Sequence, residues 1–160
     1  MLKRLTIFLV CVVAVAFYAF SQNKSSAMKK ASAPAPPDRA YIQKIWDGWA
    51  TLNPDNVAQY YASGPNTFFD IAPLKYASWD DYEKGVKVGL AGYKSATFRV
   101  NDDLAIHPRG DLAWVTATVA DEMTQKAGKV EMGNMRWTAV FENQNGKWLI
   151  VHEHVSAPIQ

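Results

Sequence analysis

The C-terminal segment of the chain predicts a β-hairpin, which restricts the fold more than any other feature. Its turn is an Asn145-Gly146 pair, the strongest short-range signal for a two-residue hairpin loop, between two stretches of alternating residues. Side chains alternate between the two faces of a strand, so we expect His152 and His154 on one face of the last strand and Glu153 on the other. The segment therefore predicts an antiparallel sheet with two chemically different faces.

Alternation also indicates which face is buried. In the penultimate strand, the more apolar face consists of Met135, Trp137, Ala139 and Phe141. In the last strand, the more apolar face consists of Leu149, Val151, Glu153 and Val155. We therefore expect Glu153 to point inward, where burial raises the pKa of a carboxyl towards the range that a general base or acid needs. The alternative is a Glu153 that lies solvated near an open mouth or pairs with a lysine.

The opposite face of the hairpin carries Arg136, His152 and His154. An HxH pair can supply two ligands to a metal, but zinc needs a third. The remaining histidine, His107, falls in a predicted turn, and residues 38–160 contain no cysteine. We therefore expect no metal site and interpret this face as a hydrogen-bonded sheet surface or a dimer seam. No Gly-rich phosphate loop and no Gly-x-Ser-x-Gly elbow occur, so we expect no cofactor.

The first 37 residues differ in composition from the rest. Residues 1–21 combine a basic start with an apolar run from residue 5 to residue 20, the pattern of a signal peptide or of an N-terminal membrane anchor. Residues 22–37 are rich in Pro, Ala, Ser and Lys and have almost nothing to bury, so we expect a disordered linker. The chain is thus expected to be exported, periplasmic or secreted, or to be held at a membrane only through residues 5–20.

Residues 38–160 have the size of one domain. They carry 12 basic and 15 acidic residues, which argues against a nucleic-acid partner because a nucleic-acid-binding surface is basic. The one cysteine of the chain, Cys11, lies in the N-terminal apolar run, whereas all six tryptophans lie in the domain. We therefore expect an aromatic core, rather than disulfides, to stabilise it.

The order of helical and alternating patterns predicts an α+β fold. Helical spacing and capping residues predict three helices, over residues 38–50, 53–61 and 78–93. Strands are expected over residues 67–71, 96–106, 112–121, 130–142 and 147–156. The last four strands are expected to form an antiparallel meander.

Several segments resemble the SnoaL-like branch of the nuclear transport factor 2-like superfamily. The matching segments are Phe69-Asp-Ile-Ala-Pro73, Asp111-Leu-Ala-Trp114, Arg136-Trp-Thr-Ala-Val-Phe-Glu142 and Gly146-Lys-Trp-Leu-Ile-Val-His-Glu-His-Val-Ser156. The resemblance implies a curved antiparallel sheet wrapped against three N-terminal helices, which forms a cone with an apolar pocket and usually dimerises through the sheet. Members include isomerases, dehydratases and domains without known chemistry, so the fold alone does not give the function.

Two relatives in that superfamily sharpen this expectation. Ketosteroid isomerase uses an aspartate base with an oxyanion hole of tyrosine and protonated aspartate, and no segment here reproduces that trio in matching context. The association domain of calcium/calmodulin-dependent kinase places arginines where alignment on the Gly-Lys-Trp turn puts Ala139 and Val155. The resemblance therefore does not imply a pocket for an anionic ligand.

Residues expected to line the pocket come from the helices and the closing hairpin: Trp46, Trp49, Tyr60, Trp137, Phe141 and Val155. Asp70, which ends a Phe-Phe-Asp strand, is a second candidate base; alternatively it bonds loop amides. Tyr60, Tyr61 and Tyr76 are potential donors to a ligand oxygen, or amphipathic packing. Three hypotheses follow. They are a dimeric binder of a small apolar molecule, a cofactor-free isomerase or dehydratase with Glu153 or Asp70 as base, and a tethered interaction module.

Overall fold

A computed structural model describes residues 34–158. The predicted signal peptide or anchor and most of the predicted linker lie outside the described residues, so these assignments stay predictions. The described end of the linker contacts the domain, because the Trp148 indole donates a hydrogen bond to the carbonyl of Ala35 (2.8 Å) and Pro37 is buried. In the part of the chain that the structure describes, no helix is both long and apolar enough to span a membrane.

Two α-helices pack against one sheet. Helix α1 (Arg39–Trp49) begins where the Asp38 side chain accepts a hydrogen bond from the backbone N–H of Tyr41. Helix α2 (Trp79–Leu90) begins at Ser78, whose hydroxyl accepts from the backbone N–H of Asp81. The capping residues read from the sequence are thus confirmed for both helices. Helix α2 ends earlier than the predicted residue 93.

The segment between the two helices does not form the α-helix predicted over residues 53–61. It forms two 3₁₀ turns, Pro54–Asn56 and Ala58–Tyr60, with Asn53 as the cap of the first. The next residue, Tyr61, already makes a parallel bridge to Ile150, so the chain must be extended by that point.

The sheet has six strands and is curved and unclosed. They are β1 (Phe68–Phe69), β2 (Tyr93–Val100), β3 (Ala105–Arg109), β4 (Leu112–Gln125), β5 (Val130–Gln144) and β6 (Lys147–Ser156). Neighbours follow the order β1-β6-β5-β4-β2, and β3 also pairs with β4. All pairs are antiparallel except the short pair of β1 with β6, which is parallel. The α+β prediction is confirmed.

The predicted strand over residues 96–106 is two strands in the structure. The chain leaves β4 after Val100 and returns to it at β3, so β2 and β3 pair with opposite ends of the same neighbour. His107, which we expected in a turn, lies in β3 and stacks on Trp114 with ring centroids 4.9 Å apart. The turn is confined to Gly110, whose φ of +62° favours glycine, and the residue that follows it.

The closing hairpin has the predicted two-residue turn, in which both Asn145 and Gly146 have positive φ. A β-bulge then interrupts the alternation of β6. Val140 pairs with His152 and the next residue, Phe141, pairs with Ile150, so Val151 is an extra residue. Before and after Val151, the side chains of β6 therefore follow different alternations between the two faces of the sheet.

Burial follows this change of parity. Ile150 is buried before the bulge, and Glu153 and Val155 are buried after it. The expectation that Leu149 and Val151 face inward is wrong, because the inserted residue shifts the alternation by one position. The inward direction expected for Glu153 and Val155 agrees with the structure.

The core lies between α1 and the inner face of the sheet. Its largest contacts are aromatic, with Trp46 packed edge-on to Trp137 (centroids 5.7 Å apart) and Tyr41 packed against Phe141 (6.3 Å). Each fully buried large apolar side chain contributes about 1.5–3 kcal/mol. The Gln43 side chain also fastens α1 to β2, since it donates to one backbone carbonyl of β2 and accepts from one backbone N–H.

Candidate functional site

A cavity of about 320 Å³ opens between α1, α2, the loop after β1 and the inner face of the sheet. Most of its wall is apolar, including Trp46, Phe98, Met123, Met135 and Val155. Its volume lies at the lower end of the range of about 300–1,000 Å³ that is usual for small-molecule sites. Such a space suits a small and largely apolar molecule.

Glu153 is the buried carboxyl on this wall, with 2% of its surface exposed. Three side chains donate hydrogen bonds to it. The Tyr82 hydroxyl donates to Oε1 (2.7 Å), and the Tyr61 hydroxyl (2.9 Å) and Trp137 indole (3.0 Å) donate to Oε2. The Trp49 indole in turn donates to the Tyr61 hydroxyl (3.1 Å), which directs the Tyr61 proton towards Glu153.

Burial raises the pKa of Glu153 to about 7. The hydrogen bonds from Trp137, Tyr82 and Tyr61 lower it, because they favour the ionised form, and the charge of Asp70 raises it. The pKa values of Tyr61 and Tyr82 are also raised, to well above 10, by burial and by the neighbouring Glu153 charge. Near neutral pH, Glu153 can therefore both accept and return a proton while its donors keep theirs.

Four separate elements bring these groups together. Tyr61 follows the second 3₁₀ turn, Tyr82 lies on the buried side of α2, and Trp137 lies on the inner face of β5. Glu153 reaches the same point because of the bulge in β6. The β1–β6 pairing places Phe68 opposite Glu153, and Asp70, the first residue after β1, lies on the cavity wall.

Asp70 is a second carboxyl on the wall. Burial raises its pKa, and the hydrogen bond donated by the Ile71 backbone N–H (2.7 Å) and the nearby Tyr82 hydroxyl oppose that rise. Asp70 therefore bonds a loop amide and also lies on the cavity wall, and its role as a base stays a prediction. The site contains two carboxyls whose ionisation is coupled, the Asp70 charge being one of the influences that raise the Glu153 pKa.

Tyr76 and Gly85 also lie on the cavity wall. The Tyr76 hydroxyl donates to the carbonyl of Ala72 (3.1 Å), which holds the loop after β1 in place. Its ring lies where a Cβ on Gly85 would be, so α2 can approach the loop only because this position has no side chain.

The comparisons with known proteins agree with this architecture. Residues 39–160 match the sequence profile of the SnoaL-like domain. The chain belongs to the SnoaL-like domain family. None of the curated proteins matches the chain by sequence.

Solved structures of the nuclear transport factor 2-like superfamily are similar to this SnoaL-like domain. A superfamily protein from Salmonella enterica has a TM-score of 0.66 at 18% identity, covering 76% of this chain and 91% of that chain. A putative calcium/calmodulin-dependent protein kinase II association domain from Xanthomonas campestris has a TM-score of 0.64 at 28% identity, covering 82% and 95%. A putative scytalone dehydratase from Novosphingobium aromaticivorans has a TM-score of 0.65 at 10% identity, covering 74% and 79%. The similarities to the Salmonella and Novosphingobium structures show the fold alone.

The residues expected to line the pocket of the SnoaL-like domain divide into two groups. Trp46, Trp49 and Val155 lie on the cavity wall. The other three are buried outside that wall: Tyr60, Trp137 and Phe141. Around Trp137 and Phe141, the aromatic side chains of α1 and β5 pack directly on one another and leave no space. The cavity therefore forms only where α2 and the loop after β1 face the sheet instead.

Sequence reasoning did not single out Tyr82 as a site residue, and it did not pair Tyr61 with Glu153. A signal for Tyr82 was present, because Trp79 and Tyr82 are three residues apart and share one face of a helix. Nothing in the sequence indicated that this face meets the bulged strand.

The outward face of the sheet carries Arg136 and His154, both exposed, and His152, which is partly covered. The Nδ1 atom of His152 donates to the carbonyl of Thr67 (2.7 Å), and Phe69 packs edge-on to both imidazoles. Within residues 34–158, no group of three or more His, Cys, Asp or Glu side chains is placed to hold a metal ion. Through the contacts of both imidazoles with Phe69, the HxH pair supports the pairing of the C-terminal end of β6 with β1.

Proposed function

We propose that this SnoaL-like domain is a cofactor-free proton-transfer enzyme, an isomerase or dehydratase, that acts on a small and largely apolar molecule. The observation that carries the proposal is Glu153, a carboxyl that is 98% buried on the wall of an apolar cavity and has a pKa of about 7. A base with a pKa near the working pH is efficient because it is substantially ionised and still binds a proton well.

In the proposed reaction, ionised Glu153 removes a proton from a carbon of the bound molecule. The C–H bond breaks, the proton binds a Glu153 oxygen, and the electron pair stays on the molecule as a delocalised anion. In an isomerase, Glu153 then returns the proton to a different carbon. In a dehydratase, the anion instead expels a hydroxide, which takes the proton back from protonated Glu153 and leaves as water.

The donors around Glu153 support this role. Three hydrogen bonds fix the carboxyl in one orientation, which places it before the substrate binds rather than during the reaction. They also stabilise the ionised form enough to hold the pKa near neutrality against the effect of burial. A dehydration reaction is also consistent with the name of the similar structure from Novosphingobium aromaticivorans, a putative scytalone dehydratase.

A test of the base does not require the natural substrate. In the ring opening of 5-nitrobenzisoxazole, a base removes the ring C–H proton, the electron pair forms a nitrile, and the N–O bond breaks to give a coloured phenolate. We expect the full chain to accelerate this reaction with an apparent pKa near 7, since only ionised Glu153 can take the proton. We expect Glu153→Gln to lose the acceleration.

The matched control is Glu122→Gln, which changes the same side chain on the exposed face of β4. It should react as fast as the native chain. Ring opening that is equally fast in Glu153→Gln would refute the assignment of Glu153 as the base, and the cavity would then be a binding site without this chemistry.

We also propose that the outward face of the sheet forms a dimer seam. Support comes from large apolar side chains exposed on that face, namely Leu112, Trp114 and Met132. His154→Glu should then lower the molar mass measured by light scattering, because paired copies would bring two like charges together. An unchanged mass would argue against this seam.

A further inference from the structure

The three donors to Glu153 differ in whether they line the cavity. Tyr61 and Trp137 donate to Oε2 and do not belong to the cavity wall. Tyr82 donates to Oε1 (2.7 Å) and does belong to it. A tyrosine hydroxyl accepts a hydrogen bond as well as donating one. A proton that binds Oε1 therefore lies beside a group on the cavity wall that can take it over.

Asp70 lies within reach of the same hydroxyl. The β1–β6 pairing sets Phe68 opposite Glu153, and Asp70 follows two residues, or roughly 7 Å, further along the chain. The Phe68 ring stacks on the Tyr82 ring with centroids 5.3 Å apart. A hydrogen bond from the Tyr82 hydroxyl is one of the influences that lower the Asp70 pKa. Tyr82 thus stands between two carboxyls, and all three side chains line the cavity.

Asp70 also lines a second, open hollow at the edge of the sheet. The other residues around this hollow are Phe69, the exposed loop residues 71–74 and the exposed His154. His154 belongs to the outward face of the sheet, so water reaches the hollow without passing through the cavity. Glu153, in contrast, is 2% exposed and faces the cavity, where a bound ligand covers it. Asp70 therefore joins the site of the proposed base to a surface that stays wet.

We infer that Tyr82 and Asp70 form a proton relay that connects Glu153 to water while a ligand occupies the cavity. The inference rests on the proposed function, because the proton in question is the one that Glu153 removes from the ligand. The Glu153 O–H bond breaks as its proton binds the Tyr82 oxygen, and the Tyr82 O–H bond breaks as that proton binds an Asp70 oxygen. Glu153 is then ionised, Tyr82 is neutral again, and protonated Asp70 releases its proton to water.

The two transfers in this relay must be coupled. Burial and the neighbouring carboxylates hold the Tyr82 pKa well above 10, so a tyrosinate does not form between them. The reverse sequence brings a proton from water to Glu153. A ligand whose proton has been removed can therefore receive a different proton from the one it lost.

Two reactions separate the removal of a proton from its exchange with water. Ring opening of 5-nitrobenzisoxazole counts every proton that the base removes, since none returns to carbon. Uptake of deuterium by 2-tetralone in D₂O, followed by ¹H NMR, counts only the removed protons that exchange before one returns to the carbon beside the carbonyl. Both reactions need ionised Glu153, so the ratio of deuterium uptake to ring opening cancels a change in its pKa and measures the exchange alone.

Asp70→Asn in the full chain tests the relay. The amide keeps an oxygen for the backbone N–H of Ile71, which the Asp70 carboxylate accepts in the native chain (2.7 Å), but it does not take up a proton. The ratio should fall by about 10-fold or more, as expected for the loss of one positioned acid–base group. Tyr82→Phe interrupts the same path and should also lower the ratio, which keeps the test decisive if Asp70→Asn folds poorly.

Asp103→Asn is the matched control. Asp103 is an exposed aspartate that likewise accepts a hydrogen bond from a backbone N–H, that of Thr118 (3.0 Å), and it lines neither the cavity nor the open hollow. Its substitution should leave the ratio unchanged. A ratio in Asp70→Asn or Tyr82→Phe equal to that of the native chain would overturn the relay. So would a native chain that opens 5-nitrobenzisoxazole and places no deuterium in 2-tetralone.

Failure of the proposed function gives a different pattern. If Glu153→Gln opens 5-nitrobenzisoxazole as fast as the native chain, Glu153 is not the base and the relay falls with it. If the ring opening depends on Glu153 and the ratio does not depend on Asp70, Glu153 keeps its role and only the relay is wrong.

Discussion

Two carboxyls of this domain accept the same number of hydrogen bonds, and yet their pKa values move in opposite directions. Glu153 in the cavity accepts from two tyrosines and a tryptophan. Glu131 on β5 accepts from Tyr93 (2.8 Å), Gln125 (2.9 Å) and Lys129 (2.7 Å). The pKa of Glu153 is raised to about 7, and the pKa of Glu131 is lowered.

Two differences explain the contrast. Glu153 is 2% exposed and its donors are all neutral, whereas the Glu131 side chain is 34% exposed and one of its donors is a lysine. Hydrogen bonds favour the ionised form at both sites, but only in the cavity does burial outweigh them. The number of donors around a carboxyl therefore does not indicate its pKa unless burial and the charge of the donors are known.

The largest expected effect of this contrast is on stability as a function of pH. Because the folded pKa of Glu153 lies above its unfolded value of about 4.5, its contribution is complete below pH 4.5 and is lost as the pH rises through about 7. In Glu153→Gln this loss is absent. The free energy of unfolding of the variant, relative to the native chain, should thus rise by about 3 kcal/mol between pH 4.5 and pH 8, measured by urea unfolding.

Glu131→Gln is the paired variant for that measurement. The pKa of Glu131 is lowered in the folded state, so its contribution is present above pH 4.5 and is lost only as the pH falls through the folded value. Its difference from the native chain should be constant from pH 5 to pH 8. A Glu153→Gln curve that runs parallel to the native one over the same range would contradict the raised pKa.

A smaller effect is expected when one tyrosine hydroxyl is removed from each site. Tyr82→Phe deletes a buried hydrogen bond to ionised Glu153 and should raise the pKa of that carboxyl by about one unit. Tyr93→Phe deletes the corresponding bond to Glu131 at the surface and should raise its pKa by less than about half a unit, because water replaces the lost donor. Carboxyl ¹³C titrations by NMR measure both. Equal shifts would mean that burial does not strengthen the bonds around Glu153.

The smallest expected effect is that of salt. Raising NaCl from about 0.1 M to 1 M shortens the screening length from about 10 Å to about 3 Å. The pKa of Glu131 should rise, because the attraction of Lys129 is screened. The pKa of Glu153 should change less, since its donors carry no charge and the Asp70 charge is the last of the causes that shift it. A Glu153 pKa that follows salt in the same way would reveal a cation near the cavity.

Much of the fold could be predicted from the sequence, because the signals for it are local. Capping residues and apolar spacing gave the starts of α1 and α2, and the Asn145-Gly146 pair gave the closing turn. The break between β2 and β3 was missed although the polar residues 101–103 stand there, because the apolar residues on both sides look like one continuous strand.

The site was only partly predictable. The inward direction of Glu153 followed from the aliphatic residues around it, but Ile150 was assigned to the wrong face, since nothing in the sequence marks Val151 as a bulge. The donors Tyr61 and Tyr82 are 92 and 71 residues away from Glu153 in the chain. Contacts between such distant segments depend on tertiary packing, which alternation and helical spacing do not encode.

The chemistry of the cavity depends on the number of residues between two inward-facing positions of β6, as well as on the identity of those residues. Between Ile150 and Glu153, which both face inward, there are two residues where a regular strand would have one or three. Without the bulge, the same residues would form a regular strand that turns the imidazoles of the HxH pair into the cavity and the carboxyl out to water. A chain that lacks the extra residue would be regular and would keep the carboxyl inward, so it is the bulge that lets this longer strand present an acid rather than two imidazoles to the cavity.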